Sequence, residues 1–231
     1  MKVVVSVGGS VLVPDLRAER VSKYATVLEE LSEAGHTVGT VVGGGRVARE
    51  YIGTARELDA NEIQLDQLGI EVTRLNARLL IAALGQRAST SPPEDYETAG
   101  EALRRGDIPV MGGVAPAQTT DAVSAALAEY VDADLLVYAT SVPGVYSADP
   151  KKDADATRFE ELTAAELVDV IADLEMSAGA NSPVDLLAAK IIERAGLHAV
   201  VLDGSDPERV RQVVEEQEHE GTEVLPRTRT Q

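Results

Sequence analysis

Strand-length apolar runs that stop at glycine turns, each followed by a helix-compatible segment, predict an α/β fold built on a mainly parallel sheet. The pattern is plainest at Val41-Val42-Gly43-Gly44-Gly45-Arg46-Val47-Ala48-Arg49, where an apolar run ends in three glycines and two arginines follow. It recurs at Gly8-Gly9-Ser10 and at Gly112-Gly113. Glycine admits backbone conformations and close approaches that a Cβ would block. A helix that starts there points its free N–H groups and positive dipole end at whatever lies above. Each turn taken singly is equally well a bare structural turn. Three together predict a cleft, beyond the carboxyl ends of the strands, that holds more than one phosphate group.

Lys2–Val7 is a continuous β-branched run, as in a strand buried on both faces. Arg17–Ala34 has helical spacing, and Gly35 can close that helix. Thr37–Val42 is the second strand and Arg46–Leu58 the helix after it. Asn61–Leu84 is the longest helical stretch, with an apolar stripe of Leu65, Leu68, Val72, Leu75 and Leu79. Beside that stripe lie Asp66, Gly69, Thr73 and Asn76, which form either a solvated face or a face turned to a ligand. Their short side chains, in so acidic a chain, favour the ligand. Glu94–Arg105 is a helix closed by Gly106, and Ile108–Met111 is the third glycine-ended strand. The loop 112–121 then opens the helix Ala122–Tyr130, with Thr120 or Asp121 as its N-cap. Leu135–Tyr138 is a strand and 140–150 a turn-rich loop. Leu162–Ala172 is helical, and Ser182-Pro183-Val184-Asp185 matches a capping box that opens a helix to Ala195. Strand Ala199–Leu202, helix Pro207–Glu218 and a short strand near Val224 complete the order, and Glu215–Glu220 is a solvated charge run. A tail follows Pro226.

The chain of 231 residues, 44% of them hydrophobic, can bury a sizeable core. It has no cysteine, which excludes disulfides and thiolate chemistry and fits a reducing compartment. No apolar run is long enough to span a membrane, and residues 1–7 are too short for a signal peptide's apolar core, so a soluble cytoplasmic protein is expected. The net charge is −18, with 39 acidic residues against 21 basic ones. That balance argues against nucleic-acid binding and requires local positive charge or metal wherever a polyanion sits. Abundant carboxylates with few lysines suit strong salt, where the screening length falls to about 3 Å. His36, His198 and His219 have no metal-ligand spacing.

Gly8-Gly9-Ser10, the Gly43-Gly44-Gly45 turn with Arg49, Asp66 with Gly69, Gly112-Gly113 with Thr119-Thr120-Asp121, and Gly144-Val145-Tyr146 with Ala148-Asp149-Pro150 together resemble the amino-acid kinase family. Within it they are most similar to the archaeal branch that phosphorylates UMP, and the acidic composition resembles its halophilic members. The resemblance implies a single domain over 1–231, a three-layer αβα sandwich, with an acceptor lobe at about 1–130, an ATP lobe at about 131–226 and a tail at 227–231. It implies transfer of the ATP γ-phosphate to UMP, with Mg²⁺, in a homohexamer. Gly9, Ser10, Gly45 and Arg49 would then meet the ATP phosphates, with Arg49, Gly9 and Gly45 carrying the catalysis. Gly44 would face the UMP phosphate and Asp66 the ribose. Val114, Ala115, Pro116, Ala117, Gln118, Thr119 and Thr120 would wrap the uracil and its phosphate. Thr140, Ser141, Tyr146 and Asp149 would hold adenosine. Two unnamed carboxylates near the phosphates could orient the metal.

The chain departs from the family pattern in three places. Ser6 stands where many members carry a first-strand lysine, so charge must come from Mg²⁺, Arg49, helix N-termini or Lys190, whose favoured reading is a surface lysine. Pro143 replaces an acidic residue before Gly144. Ala115, Ala117 and Gln118 replace a commoner His- and Gly-containing acceptor loop. The alternative readings are a family member with another acceptor (isopentenyl phosphate, carbamate or acetylglutamate) and a nucleotide-binding protein without turnover.

Overall fold

A computed structural model describes residues 1–150, 152–176 and 182–226, so the expected tail at 227–231 lies outside the described residues. Seven strands form one sheet: β1 (Lys2–Val7), β2 (Thr37–Val42), β3 (Val110–Met111), β4 (Leu135–Thr140), β5 (Glu161–Thr163), β6 (Ala199–Asp203) and β7 (Thr222–Leu225). Their order is β3-β2-β1-β4-β6-β7-β5. All pairings are parallel except β6 with β7. The carboxyl ends of β1, β2, β3, β4 and β6 therefore open on the same edge.

The β-branched run of β1 is buried on both sides, as its sequence requires. Val3, Val5 and Val7 join one core with α1 (Gly9–Leu12), α2 (Ala18–Glu33), part of α4 (Glu62–Leu84) and α9 (Glu208–Glu215). Val4 joins a second core with α5 (Tyr96–Arg105), α6 (Thr120–Tyr130), α7 (Ala164–Met176) and α8 (Leu186–Ala195). Helices thus cover both faces, giving three layers, and α3 (Gly45–Glu57) packs outside α4.

Several boundaries differ from expectation, each for a local reason. The first glycine turn continues into the one-turn helix α1, because Val11 and Leu12 donate to the Gly8 carbonyl at 2.8 and 2.9 Å. Thr119, not Thr120 or Asp121, caps α6, accepting from the Ala122 N–H at 3.1 Å. The cap of α8 is Asp185 rather than Ser182; its Oδ1 accepts from Ala188 at 3.0 Å. Residues 161–163 form strand β5 ahead of α7, because Glu161–Thr163 align with Glu223–Leu225 of β7. Glu208–Glu215 ends sooner than its helical pattern, and Gln217 turns left-handed at φ 56.

The apolar stripe read along α4 is split by the fold. Leu65 and Val72 are buried, but Leu75 and Leu79 are exposed, while Thr73 and Asn76 face inward. The inward face meets backbone carbonyls and amides of the glycine turns, which polar side chains can satisfy and leucine cannot.

Across the sheet edge, the buried Tyr24 of α2 donates to the Gly204 carbonyl just past β6, at 2.7 Å. Burial raises its phenol well above the ordinary value, so it remains a donor. Tyr24→Phe keeps the ring but strands that carbonyl, and is expected to cost about 1–3 kcal/mol in urea unfolding with an unchanged denaturant slope.

Candidate active site

The three glycine tips meet. A Cβ on Gly9 would stand 2.3 Å from the Gly43 carbonyl oxygen and 2.3 Å from the Gly45 amide nitrogen, so only glycine lets the β1 and β2 tips touch. Gly45 also has φ 65, where a side chain would be strained. The polar stripe of α4 binds these tips together. Asn76 Nδ2 donates to the Gly43 and Gly44 carbonyls at 2.9 and 3.2 Å. Thr73 Oγ1 accepts from the Gly113 N–H at 2.7 Å and donates to the Ile70 carbonyl. Gly69 serves packing instead, since a Cβ there would meet Ile52 of α3 at 3.3 Å.

Carbonyls of the tips are thus taken up, and amides are left over. The first N–H groups of α1 and α3 lack partners within their helices, as at any helix start. They belong to Gly9, Ser10, Gly45 and the residues after it, and Gly44 is the N-cap of α3. Arg49 lies on the next turn of α3, exposed and in no ion pair among the described residues, whereas Arg46 is tied to Glu50 at 2.7 Å. The arrangement is a set of fixed donors with a movable cation at its rim, which suits an oligophosphate.

On the β3 side, the loop from Gly113 to Thr119 crosses above α4. Arg74 Nε donates to the Gly113 carbonyl at 3.2 Å, and Asp66 Oδ2 accepts from the Ala117 N–H at 2.8 Å. Asp66 is therefore at the loop, with one oxygen engaged by it. Gln118 N–H closes a four-residue turn onto the Ala115 carbonyl at 3.3 Å, and Ala117, its third residue, has φ 61. Val114 packs against the second core. Thr120 Oγ1 lies 3.5 Å from where a Cβ of Gly43 would stand, which brings the end of this loop to the β2 tip.

On the β4 side, Gly8 N–H donates to the Ala139 carbonyl at 3.0 Å, joining the next loop to the β1 tip. Thr140 Oγ1 spends its hydrogen bonds within that loop, on Val142. Tyr146 and Asp149 line a small pocket with Val142, Gly144, Ala148, Pro150, Leu174 and Pro183, while Ser141 is exposed outside that lining. The loop is pinned to the last strand: Val145 N–H donates to Thr222 Oγ1 at 2.9 Å, which donates to the Phe159 carbonyl at 2.6 Å. Pro143 costs nothing in this docking, which uses the Val145 amide.

Two carboxylates complete the cleft. Asp121 follows Thr120 at the start of α6, and burial, with the charge of Asp185 second, pushes it up to about 7. Asp185 Oδ2 accepts from Thr119 Oγ1, which ties α8 to the acceptor loop. The buried Tyr138 donates to the Asp121 carbonyl at 2.9 Å, and Ser6 sits beside Tyr138 in register. Asp121 and Asp185 are both only partly exposed and close enough for one charge to act on the other, an arrangement that a cation relieves. The sequence marks Asp121 as a cap candidate and Asp185 as the acidic end of a capping box; their convergence from 64 positions apart has no local signal. Lys190 is exposed on α8.

A family model described as "Amino acid kinase family" matches residues 1–203. A curated uridylate kinase of Haloarcula marismortui is 69% identical over 226 residues, covering 98% of this chain and 99% of the relative. One from Halobacterium salinarum is 68% identical over the same length, with 98% and 94% covered. The crystal structure of uridylate kinase from Archaeoglobus fulgidus superposes with a TM-score of 0.87 at 44% identity, covering 97% of this chain and 100% of that one. Touching glycine tips, the loop over α4 and these matches across nearly the whole length agree: the chain belongs to the amino acid kinase family.

Proposed function

We infer that this chain transfers the γ-phosphoryl group of ATP to UMP, giving UDP and ADP. The single observation that carries the reading is the contact of the β1 and β2 tips, with the β3 tip tied to them through Thr73 and Asn76 of α4. Support comes from the sheet order, which sets β3-β2-β1 on one side and β4-β6-β7-β5 on the other. This matches an acceptor lobe at about 1–130 and an ATP lobe at about 131–226 within one domain.

Phosphoryl transfer asks for two oxygens held in line and for neutralised charge on the moving group, with little covalent chemistry from the protein. In this reading the amides of Gly9, Ser10 and Gly45 hold the ATP phosphates, and Arg49 closes on the group in transit. Gly44 faces the UMP phosphate, Asp66 offers its second oxygen to the ribose, and residues 114–120 wrap the uracil. Thr140, Ser141, Tyr146 and Asp149 form the adenosine side. The Asp121–Asp185 pair fits Mg²⁺, which would supply charge neutralisation that the missing first-strand lysine does not. Among the described residues no third His, Asp or Glu joins them, so a cation held here would take its other ligands from phosphate oxygens and water.

We also propose a homohexamer. Leu58, Ile63, Leu75 and Leu79 are exposed along α4 and the turn before it, in a chain otherwise dominated by charge. Leu75 and Leu79, one turn apart on α4, favour burial against a second copy. No helix among the described residues is long and apolar enough to cross a membrane. A cytoplasmic, strongly saline setting is the reading that composition supports.

A coupled ADP-release assay tests the acceptor: turnover with UMP is expected, and turnover only with CMP, acetylglutamate or isopentenyl phosphate would overturn the reading. Arg49→Ala should lower kcat by about 10²-fold or more while thermal stability stays within the range of neutral surface changes. Equal activity would remove Arg49 from the site. For Asp121 the sign follows from its raised value: between its ordinary 3.8 and about 7 the folded state holds a proton that the unfolded state has released. Metal-free stability should therefore fall as pH rises across that window, relative to Asp121→Asn, and Mg²⁺ should recover it above pH 7. Parallel stability curves for the two proteins would disprove this. Leu75→Asp with Leu79→Asp should reduce the oligomer's mass in sedimentation; an unchanged mass places the interface elsewhere.

A further inference from the structure

The acceptor loop contains a feature that the phosphate chemistry does not use. The Ala115–Gln118 turn places alanine, not glycine, at a positive φ of 61. A residue persists in that region only where its surroundings hold it there. One side chain pins this residue, and another fixes the side chain that follows it. Asp66 of α4 accepts from the Ala117 N–H at 2.8 Å, and the hydroxyl of Tyr96 on α5 accepts from Gln118 Nε2 at 2.8 Å. Tyr96 is itself fixed: its ring is partly buried against the second core and lies 6.3 Å from that of Tyr130 on α6.

Gln118 has a donor end and an acceptor end, and the tyrosine hydroxyl engages the donor end. The amide oxygen is then the end left to a ligand. Uracil carries an N–H at ring position 3, whereas cytosine carries a lone pair there. An acceptor oxygen is matched by the first and left unpaired, facing another acceptor, by the second.

We propose that Tyr96 is a positioning residue for pyrimidine selection, holding the Gln118 amide so that its oxygen accepts from the ring N–H of UMP. The inference rests on UMP as the acceptor and on the loop 114–120 wrapping its base. It assigns a role to a residue on α5, which is outside the acceptor loop and outside the motifs read from the sequence.

Steady-state kinetics with UMP and CMP, on the full chain, tests it. Tyr96→Phe keeps the ring packing and removes only the hydroxyl. It should raise the KM for UMP about three- to tenfold, the worth of one neutral hydrogen bond, with kcat and the KM for ATP within about twofold. The kcat/KM for CMP should change less than that for UMP. Gln118→Ala should lose UMP affinity similarly, and the double variant should lose no more than either alone. An unchanged KM for UMP in Tyr96→Phe, or equal losses for UMP and CMP, would overturn the role. A parent enzyme that turns over some other acceptor and not UMP would instead overturn the acceptor assignment, and the inference with it.

Discussion

Everything at this site depends on backbone meeting backbone without a Cβ between. The β1 and β2 tips stand so close that a single methyl on Gly9 would overlap a carbonyl and an amide at once. That contact is what turns separate strand ends into one surface of N–H groups. It also explains why α4 carries Asn76 and Thr73 on an inward face: close-packed loops leave carbonyls that must be satisfied, and these two side chains do it. The tips are therefore held in place by hydrogen bonds within the chain itself, which is the preorganisation that charge stabilisation in phosphoryl transfer would require.

The electrostatic design follows from the same constraint. A chain of net charge −18 binds polyanions only where the local field is reversed. Helix starts at α1 and α3 reverse it with fixed dipoles, and Arg49 adds a charge that the rest of the surface leaves unpaired among the described residues. Asp121 and Asp185 work in the opposite direction until a cation joins them. In the proposed reading, a cation held by this pair and a nucleotide phosphate would each offset what makes the other unwelcome.

Much of this was legible in the sequence, because it is written locally. Glycine turns after β-branched runs placed the strands, their alternation with helices gave the mainly parallel sheet, and the family resemblance gave the three layers. The face of α4 was harder. Periodicity marked Leu75 and Leu79 as core, yet the fold turns them outward, since the inward face sets Thr73 and Asn76 on the polar glycine tips and Ala77, Leu80 and Leu84 in the core. Strand β5 was hidden because three residues that read as a helix start become a strand only when β7 lies alongside. The pairing of Asp121 with Asp185, and of Tyr96 with Gln118, joins distant segments and leaves no periodic trace. Ala117 alone could have been flagged locally, as a residue after proline in a turn that ordinarily wants glycine.

The attachment of the 140–149 loop to Thr222 has a bearing on how the molecule comes into being. The side of the cleft next to β1 and β2 draws its tips from early, mostly neighbouring segments, whereas the opposite side needs a strand made almost at the end of synthesis. Contacts of such separation form slowly, after the local ones are in place. A chain emerging from the ribosome would thus bring its β1 and β2 tips together first and leave the 140–149 loop unanchored until its final strand is released.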